Sequence, residues 1–148
     1  MQATDRVVVV AKYVQGRIEE AKSELGFKGV FYRDQNKVPF TPAVCVEPST
    51  KRRDLQGVPR ATRVTMEVVL LIYLYRIGSL EDVGADVDTL AEDLEAFLHL
   101  DPQMGGQVIH NYVSTVEYGY AQRDTSLFRT VRMTLEADSK VNLPLGGV

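Results

Sequence analysis

The segment TRVTMEVVLLIYLYR, residues 62–76, decides the fold because apolar side chains recur in it at every second position. Its even-numbered residues, from Val64 to Leu74, are all apolar, whereas its odd-numbered residues change from polar to apolar along the segment. A period of two is typical of a β-strand that packs one face on a core. At about 3.4 Å per residue the segment spans roughly 50 Å. We therefore expect one half to lie inside a sheet, buried on both faces, and the other half to project outward.

Three other segments are predicted as strands. Residues 37–47 alternate in the same way, but Pro39 and Pro42 cannot donate hydrogen bonds to a neighbouring strand, so we expect a sheet edge or a bulge there. Residues 107–120 and 126–137 predict a hairpin. The segments 27–36 and 48–60 are interpreted as a polar connection and a loop.

Apolar residues at steps of three and four predict two helices. The first stripe runs over residues 7–25, with Thr4 or Asp5 as its N-terminal cap and Gly26 as its left-handed stop. Asp86 is predicted to cap the second helix, and Asp86 and Asp88 lie in its first turn, where the helix dipole favours anions. The apolar stripe of this second helix consists of Val87, Leu90, Ala91, Leu94, Phe97 and Leu98.

The order of elements is therefore α-β-β-α-β-β, which predicts an α+β fold. We expect a mainly antiparallel four-stranded sheet with long strands, packed by two helices. With 148 residues, 45% of them apolar, the chain is large enough for one hydrophobic core. Residues 1–138 are interpreted as a single domain and residues 139–148 as a flexible tail.

The charges are unevenly distributed although the net charge is only −3. Residues 81–95 hold seven acids and no base, and Glu92 and Asp93 belong to the predicted polar face of the second helix. The opposite charge is concentrated in one basic segment, whose bases are Lys51, Arg52, Arg53, Arg60 and Arg63. This segment is either a solubilising loop or an electrostatic contact. The negative net charge argues against a protein that binds nucleic acid by bulk attraction.

The sequence offers little catalytic chemistry. Cys45 has no histidine within ten residues and is interpreted as a lone buried thiol. His99 is predicted to interact with the C-terminal dipole of the second helix, and His110 is interpreted as a core or interface residue. We expect no enzyme, no cofactor and no metal site. The apolar run at residues 7–11 is too short for a signal peptide, so we expect no leader. The most apolar stretch, residues 64–75, contains Glu67 and is too short to span a membrane, so we expect no membrane segment.

Five tyrosines lie on the long predicted strands. Tyrosine is favoured at protein interfaces because its ring is apolar and its hydroxyl is polar. Each of these residues is therefore a candidate either for an interface or for the core: Tyr73, Tyr75, Tyr112, Tyr118 and Tyr120.

Three motifs carry a resemblance to a known family. They are LAEDL at residues 90–94, followed by FL at 97–98; DPQMGGQV at 101–108; and VEYGY at 116–120 with a last strand FRTVRMTLE at 128–136. Together these motifs resemble the tail terminator proteins of long-tailed bacteriophages, which are also called tail completion or neck proteins. The order of elements fits this family over residues 5–138, whereas the basic segment matches no residue of the family.

The resemblance implies a virion structural protein, located in the tail or neck and assembled in the host cytoplasm. Such a protein forms a homohexameric ring on a completed tail tube, stops its polymerisation and provides a docking face for the head-tail connector. The implied partners are a second copy of the chain, the tail tube protein and the connector, with no membrane. We hypothesise that residues 62–76 and 107–120 carry subunit contacts, and that the acidic helix and the basic segment face different neighbours.

Three alternatives remain open. The chain could be another neck component, such as a head-tail adaptor or a tube-like protein; a ring protein of a bacterial contractile or secretion machine; or a small enzyme with an inconspicuous site. The arginines of the basic segment are also candidates for transient contact with DNA that passes through such a ring.

Overall fold

The computed structural model describes residues 6–55, 61–78 and 85–142. The first elements are helix α1 (Arg6–Glu20), the short helix α2 (Lys22–Leu25) and strands β1 (Gly29–Tyr32), β2 (Ala43–Leu55) and β3 (Ala61–Arg76). They are followed by helix α3 (Ala85–His99), a single 3-10 turn (Met104–Gly106) and strands β4 (His110–Arg123) and β5 (Ser126–Asn142). None of the helices in these ranges is long and apolar enough to cross a membrane.

The strands form one mixed sheet in the order β1-β2-β3-β5-β4. Strand β1 is parallel to β2, and all other neighbours are antiparallel. The α+β fold, the long strands, the mainly antiparallel sheet and the two main helices are therefore confirmed. The described part of the chain contains five strands, however, so the prediction of four was wrong.

Strand β1 lies in the segment that was predicted as a polar connection. It has only four residues, Gly29–Tyr32, which is too short to show a periodic pattern. Val30 and Tyr32 pack against the main core, while Phe31 packs against a second cluster on the other side of the sheet. The connection 33–42 links β1 to its parallel neighbour without a helix, whereas such crossovers usually contain a dozen or more residues. This short crossover is why the parallel pair was not foreseen.

Strand β2 differs from its prediction at both ends. It begins at Ala43, so Pro39 and Pro42 precede it, and it lies between β1 and β3 rather than at an edge. It continues to Leu55, through much of the segment that was predicted as a loop. Its pairing with β3 shifts between Pro48 and Thr50, so a bulge accommodates the proline that cannot donate a ladder hydrogen bond.

Strand β3 contains residues 62–76, and the alternation predicted for them is confirmed. Its even-numbered residues from Val64 to Leu74 are buried in the main core, and it pairs with β2 and β5 on its two sides. Beyond the ends of β1 and β4, the backbones of β2, β3 and β5 continue as a three-stranded extension. The half of the segment that was predicted to project outward therefore does not project alone, because β2 and β5 pair with it on both sides.

Both main helices pack on the same side of the sheet, which we call the helix face. Helix α1 buries Val10, Ala11, Val14 and Ile18 there, and α3 buries Leu90, Ala91, Leu94 and Leu98. Gly26 adopts a left-handed conformation, with φ of 94°, and ends α2 as predicted. The predicted caps Thr4 and Asp5 lie outside the described residues, as does the side chain of Asp86.

The opposite side of the sheet is crossed by the connection 33–42, and we call it the crossover face. Val38 of this connection packs against a small cluster of Cys45, Tyr73 and Phe128. The C-terminal hairpin is confirmed, but its turn is shorter than predicted, because β4 reaches Arg123 and β5 begins at Ser126. Strand β5 also continues to Asn142, so part of the predicted tail belongs to the sheet.

Candidate functional site

An exposed group of apolar and aromatic side chains lies at one end of the helix face. Exposed fractions are 54% for Tyr118, 64% for Tyr120, 44% for Leu127 and 42% for Ile77. Together with Arg129 we call these residues the tyrosine patch. Apolar groups that stay exposed side by side are typical of binding surfaces rather than of ordinary solvent-facing sheet.

The guanidinium group of Arg129 lies between the two tyrosines of the patch. Its central carbon is 5.7 Å from the ring centroid of Tyr118 and 4.9 Å from that of Tyr120. Its Nη1 donates a hydrogen bond of 3.3 Å to the carbonyl oxygen of Gly119. These contacts hold a positive charge over aromatic surface, where a cation is attracted by the ring electrons.

The period of the two last strands explains why these residues meet. Tyr118 and Tyr120 are two residues apart on β4 and therefore share a face, and Tyr120 is the register partner of Arg129 on β5. The next residues of β5 on the same face, Val131 and Met133, are fully buried in the main core. The alternation thus continues unchanged while the helices stop, and the last residues of the helix face stay uncovered.

The patch borders the open edge of the sheet. Strand β4 has 14 residues and is the last strand of the sheet, so within the described chain no strand pairs with its outer side. One of its amides, that of Val113, donates a hydrogen bond of 3.2 Å to Nε2 of His99. A long edge strand with few charges offers its remaining backbone groups to another chain.

The five candidate tyrosines have different environments. Tyr73 is fully buried and its hydroxyl donates a hydrogen bond to Asp34, which removes it from the interface candidates. Tyr75 is half-buried against the main core. Tyr112, Tyr118 and Tyr120 are exposed, and Tyr112 lies apart from the patch, on the crossover face beside His110.

The charged candidates fall on two elements. Lys51 and Arg52 are exposed on β2, so the basic segment is a strand there rather than a loop. Glu92 and Asp93 are exposed on α3 and form no ion pair with the described residues. The other candidates cannot be located in the same way: Arg60 lies outside the described residues, as do the side chains of Arg53, Arg63, Asp86 and Asp88.

The two histidines and the cysteine lie on different elements of the fold. His99 is the last residue of α3, and its Nε2 accepts the hydrogen bond from the Val113 amide. Nε2 of His110 is 3.0 Å from a carboxylate oxygen of Asp138. Cys45 is buried, as predicted, and its burial raises the pKa of the thiol to about 12. Among the described residues, no group of three or more potential metal ligands comes together.

A polar cluster that no sequence pattern predicted fastens the crossover connection to the sheet. Asp34 accepts hydrogen bonds from the Tyr73 hydroxyl and from the Arg123 guanidinium at the end of β4. Burial alone would raise the pKa of Asp34, but the hydrogen bonds from Arg123 and Tyr73 outweigh it and lower the pKa below its ordinary value of 3.8. A cavity of about 140 Å³ beside this cluster also touches Cys45 and Glu47.

The tyrosine patch was only half visible in the sequence. The two tyrosines were candidates, whereas Arg129, Leu127 and Ile77 were not. Leu127 and Arg129 follow the alternation of Val131 and Met133, so their face was predictable, but their exposure depends on where the helices end.

Comparison with known proteins leaves the assignment to the geometry. No protein-family model matches the chain, and a search of curated proteins finds no match.

Proposed function

We propose that this protein is a virion structural protein that forms a ring on the end of a phage tail tube, stops tube polymerisation and provides a docking face for the head-tail connector. The observation that carries the proposal is the tyrosine patch beside the open edge of β4. Aromatic and arginine side chains dominate the binding energy of many protein interfaces, and here two exposed tyrosines lie against a half-buried arginine.

A closed ring also requires two different patches on each subunit, because its contacts run head to tail. The described surface offers chemically different regions of this kind. Tyr118 and Tyr120 form an aromatic surface at the end of β4, while Glu92 and Asp93 form an acidic one on α3, and Lys51 and Arg52 are exposed on β2. The motifs at residues 90–108 and 116–136 support the same function through their resemblance to tail terminators.

Addition of the purified protein to polymerising tail tube protein from the same genome tests the proposal. We expect shorter tubes, each with a ring visible at one end by negative-stain microscopy. Tubes of unchanged length with no added density at either end would contradict it. Binding to the portal side instead of the tube would favour a head-tail adaptor.

A separate titration tests the contact with DNA. If Lys51 and Arg52 contact phosphates of passing DNA, the apparent affinity for duplex DNA should fall steeply as salt concentration rises. Affinity that does not change between low and moderate salt would exclude phosphate contacts.

A further inference from the structure

The environment of Arg129 restricts the kind of partner that can cover the tyrosine patch. Arg129 is half-buried at its centre, between two aromatic rings, and no acidic side chain of the described chain forms an ion pair with it. A partner that covers the patch removes water from this guanidinium. A buried charge without a counter-ion is costly, so the partner must bring a carboxylate together with apolar surface.

One surface of the same chain has both properties. Asp93, Ala96 and Leu100 follow each other at steps of three and four along α3 and its C-terminal turn, and all three are exposed. Leu100 is 77% exposed, more than any other large apolar side chain described. Glu92 adds a second carboxylate beside this stripe, which we call the acidic stripe.

Within the described residues, no ion pair joins the two surfaces of one molecule: Arg129 has no carboxylate partner, and Asp93 and Glu92 are exposed. Helix α3 ends where His99 contacts Val113 of β4, and Tyr120 lies seven residues, or roughly 20 Å, further along that strand. A second molecule can therefore bring its carboxylate to Arg129.

We infer that the tyrosine patch of one subunit binds the acidic stripe of a second copy of this chain, with Arg129 paired to Asp93 and Leu100 packed on the tyrosine rings. The inference rests on the proposed ring and names its subunit contact. Because each copy carries one patch and one stripe, the contact repeats head to tail and can close into a ring. It assigns the contact to the C-terminal half of the chain, with no role for the basic segment.

Charge reversal tests this pairing. Arg129→Glu and Asp93→Arg should each weaken self-association by about 30-fold or more, as measured by sedimentation or native mass spectrometry. A one-to-one mixture of the two variants should assemble again, because every contact is then either native or reversed in both partners. Rings in the mixture should contain the variants in equal numbers.

Matched controls separate this contact from a general effect of charge. Arg132→Glu changes an exposed arginine of the same strand on the crossover face, and Glu20→Arg changes an exposed acid on α1. Both should assemble like the unchanged chain. Tyr120→Ala, at an exposed position, should weaken assembly without loss of folding by circular dichroism.

The inference is overturned if Arg129→Glu and Tyr120→Ala assemble normally, if the mixture stays dissociated, or if the unchanged chain is a strict monomer at high micromolar concentration. These outcomes differ from failure of the proposed function, which is judged by whether the unchanged chain caps tubes. Normal capping with a patch variant that still assembles would refute the contact alone.

Discussion

The two ends of the helix face consist of the same strands but have opposite surroundings. At the covered end, Leu70 of β3 and Met133 of β5 are fully buried beneath the helices. At the uncovered end, Leu127 of β5 and Tyr120 of β4 point to the same side and are exposed. On β4 and β5 the alternation of side chains is continuous between the two ends, since their register does not shift beyond Thr115, whereas the pairing of β3 with β5 shifts between Tyr73 and Tyr75.

This difference separates two kinds of information in a strand. The period of two determines which face a residue occupies, whereas the lengths and positions of the helices determine whether that face is covered. The residue types differ in part: the side chains under α1 and α3 are mostly aliphatic, whereas Tyr118, Tyr120 and Arg129 join Leu127 and Ile77 at the uncovered end. The tyrosine side chain tolerates water before assembly and supplies apolar area after it. The proposed contact between subunits needs this behaviour.

The largest expected effect compares one leucine at each end. Leu70→Ala leaves a cavity in the packed core and should lower the free energy of unfolding by about 2–5 kcal/mol. Leu127→Ala removes a half-exposed side chain and should cost less than about 1 kcal/mol. Urea unfolding monitored by circular dichroism measures both. Equal losses would show that the uncovered end is packed as tightly as the core, and would break the comparison.

A smaller effect is expected for one hydroxyl on each side of the sheet. Tyr73→Phe removes the hydrogen bond to Asp34 under the crossover connection and should cost about 1.5–3 kcal/mol, because the acceptor is charged. Tyr120→Phe should leave unfolding unchanged within about 0.5 kcal/mol, because its hydroxyl is exposed. The same urea measurement serves for both variants, and a neutral Tyr73→Phe would mean that the connection does not depend on this bond.

The two tyrosines also mark where prediction from the sequence stops. Helices α1 and α3 and strand β3 were predictable because their periods persist over fifteen residues or more. Strand β1 has four residues, and its pairing with β2 depends on a crossover that no local pattern reveals. Tyr73 and Tyr120 both lie on long predicted strands, but Tyr73 is on a central strand beneath the connection 33–42, whereas Tyr120 is on the edge strand and on the other face of the sheet.

A further effect of about 1 kcal/mol compares two glycines. Gly105 follows α3 with φ of 64°, and a Cβ there would lie 3.1 Å from the Tyr13 hydroxyl, so Gly105→Ala should destabilise the protein. Gly119 lies between the patch tyrosines in extended backbone, and a Cβ would meet its nearest described neighbour at 3.9 Å. Gly119→Ala should therefore change thermal stability little, and a large loss would show that the patch needs close backbone approach.

The smallest effect is a loss of stability that occurs only in acid. It concerns Asp34, which fastens the connection 33–42 over the crossover face. Because hydrogen bonds from Arg123 and Tyr73 lower the pKa of Asp34 below 3.8, the ionised carboxylate stabilises the fold above the ordinary pKa. That contribution is lost as the pH falls through the lowered pKa of the folded state. Asp34→Asn lacks it at every pH, so the difference in urea midpoint between the two proteins should narrow from about pH 6 to about pH 3. A constant difference would show that Asp34 holds the connection through its shape and hydrogen bonds, and that its charge contributes nothing to the cover.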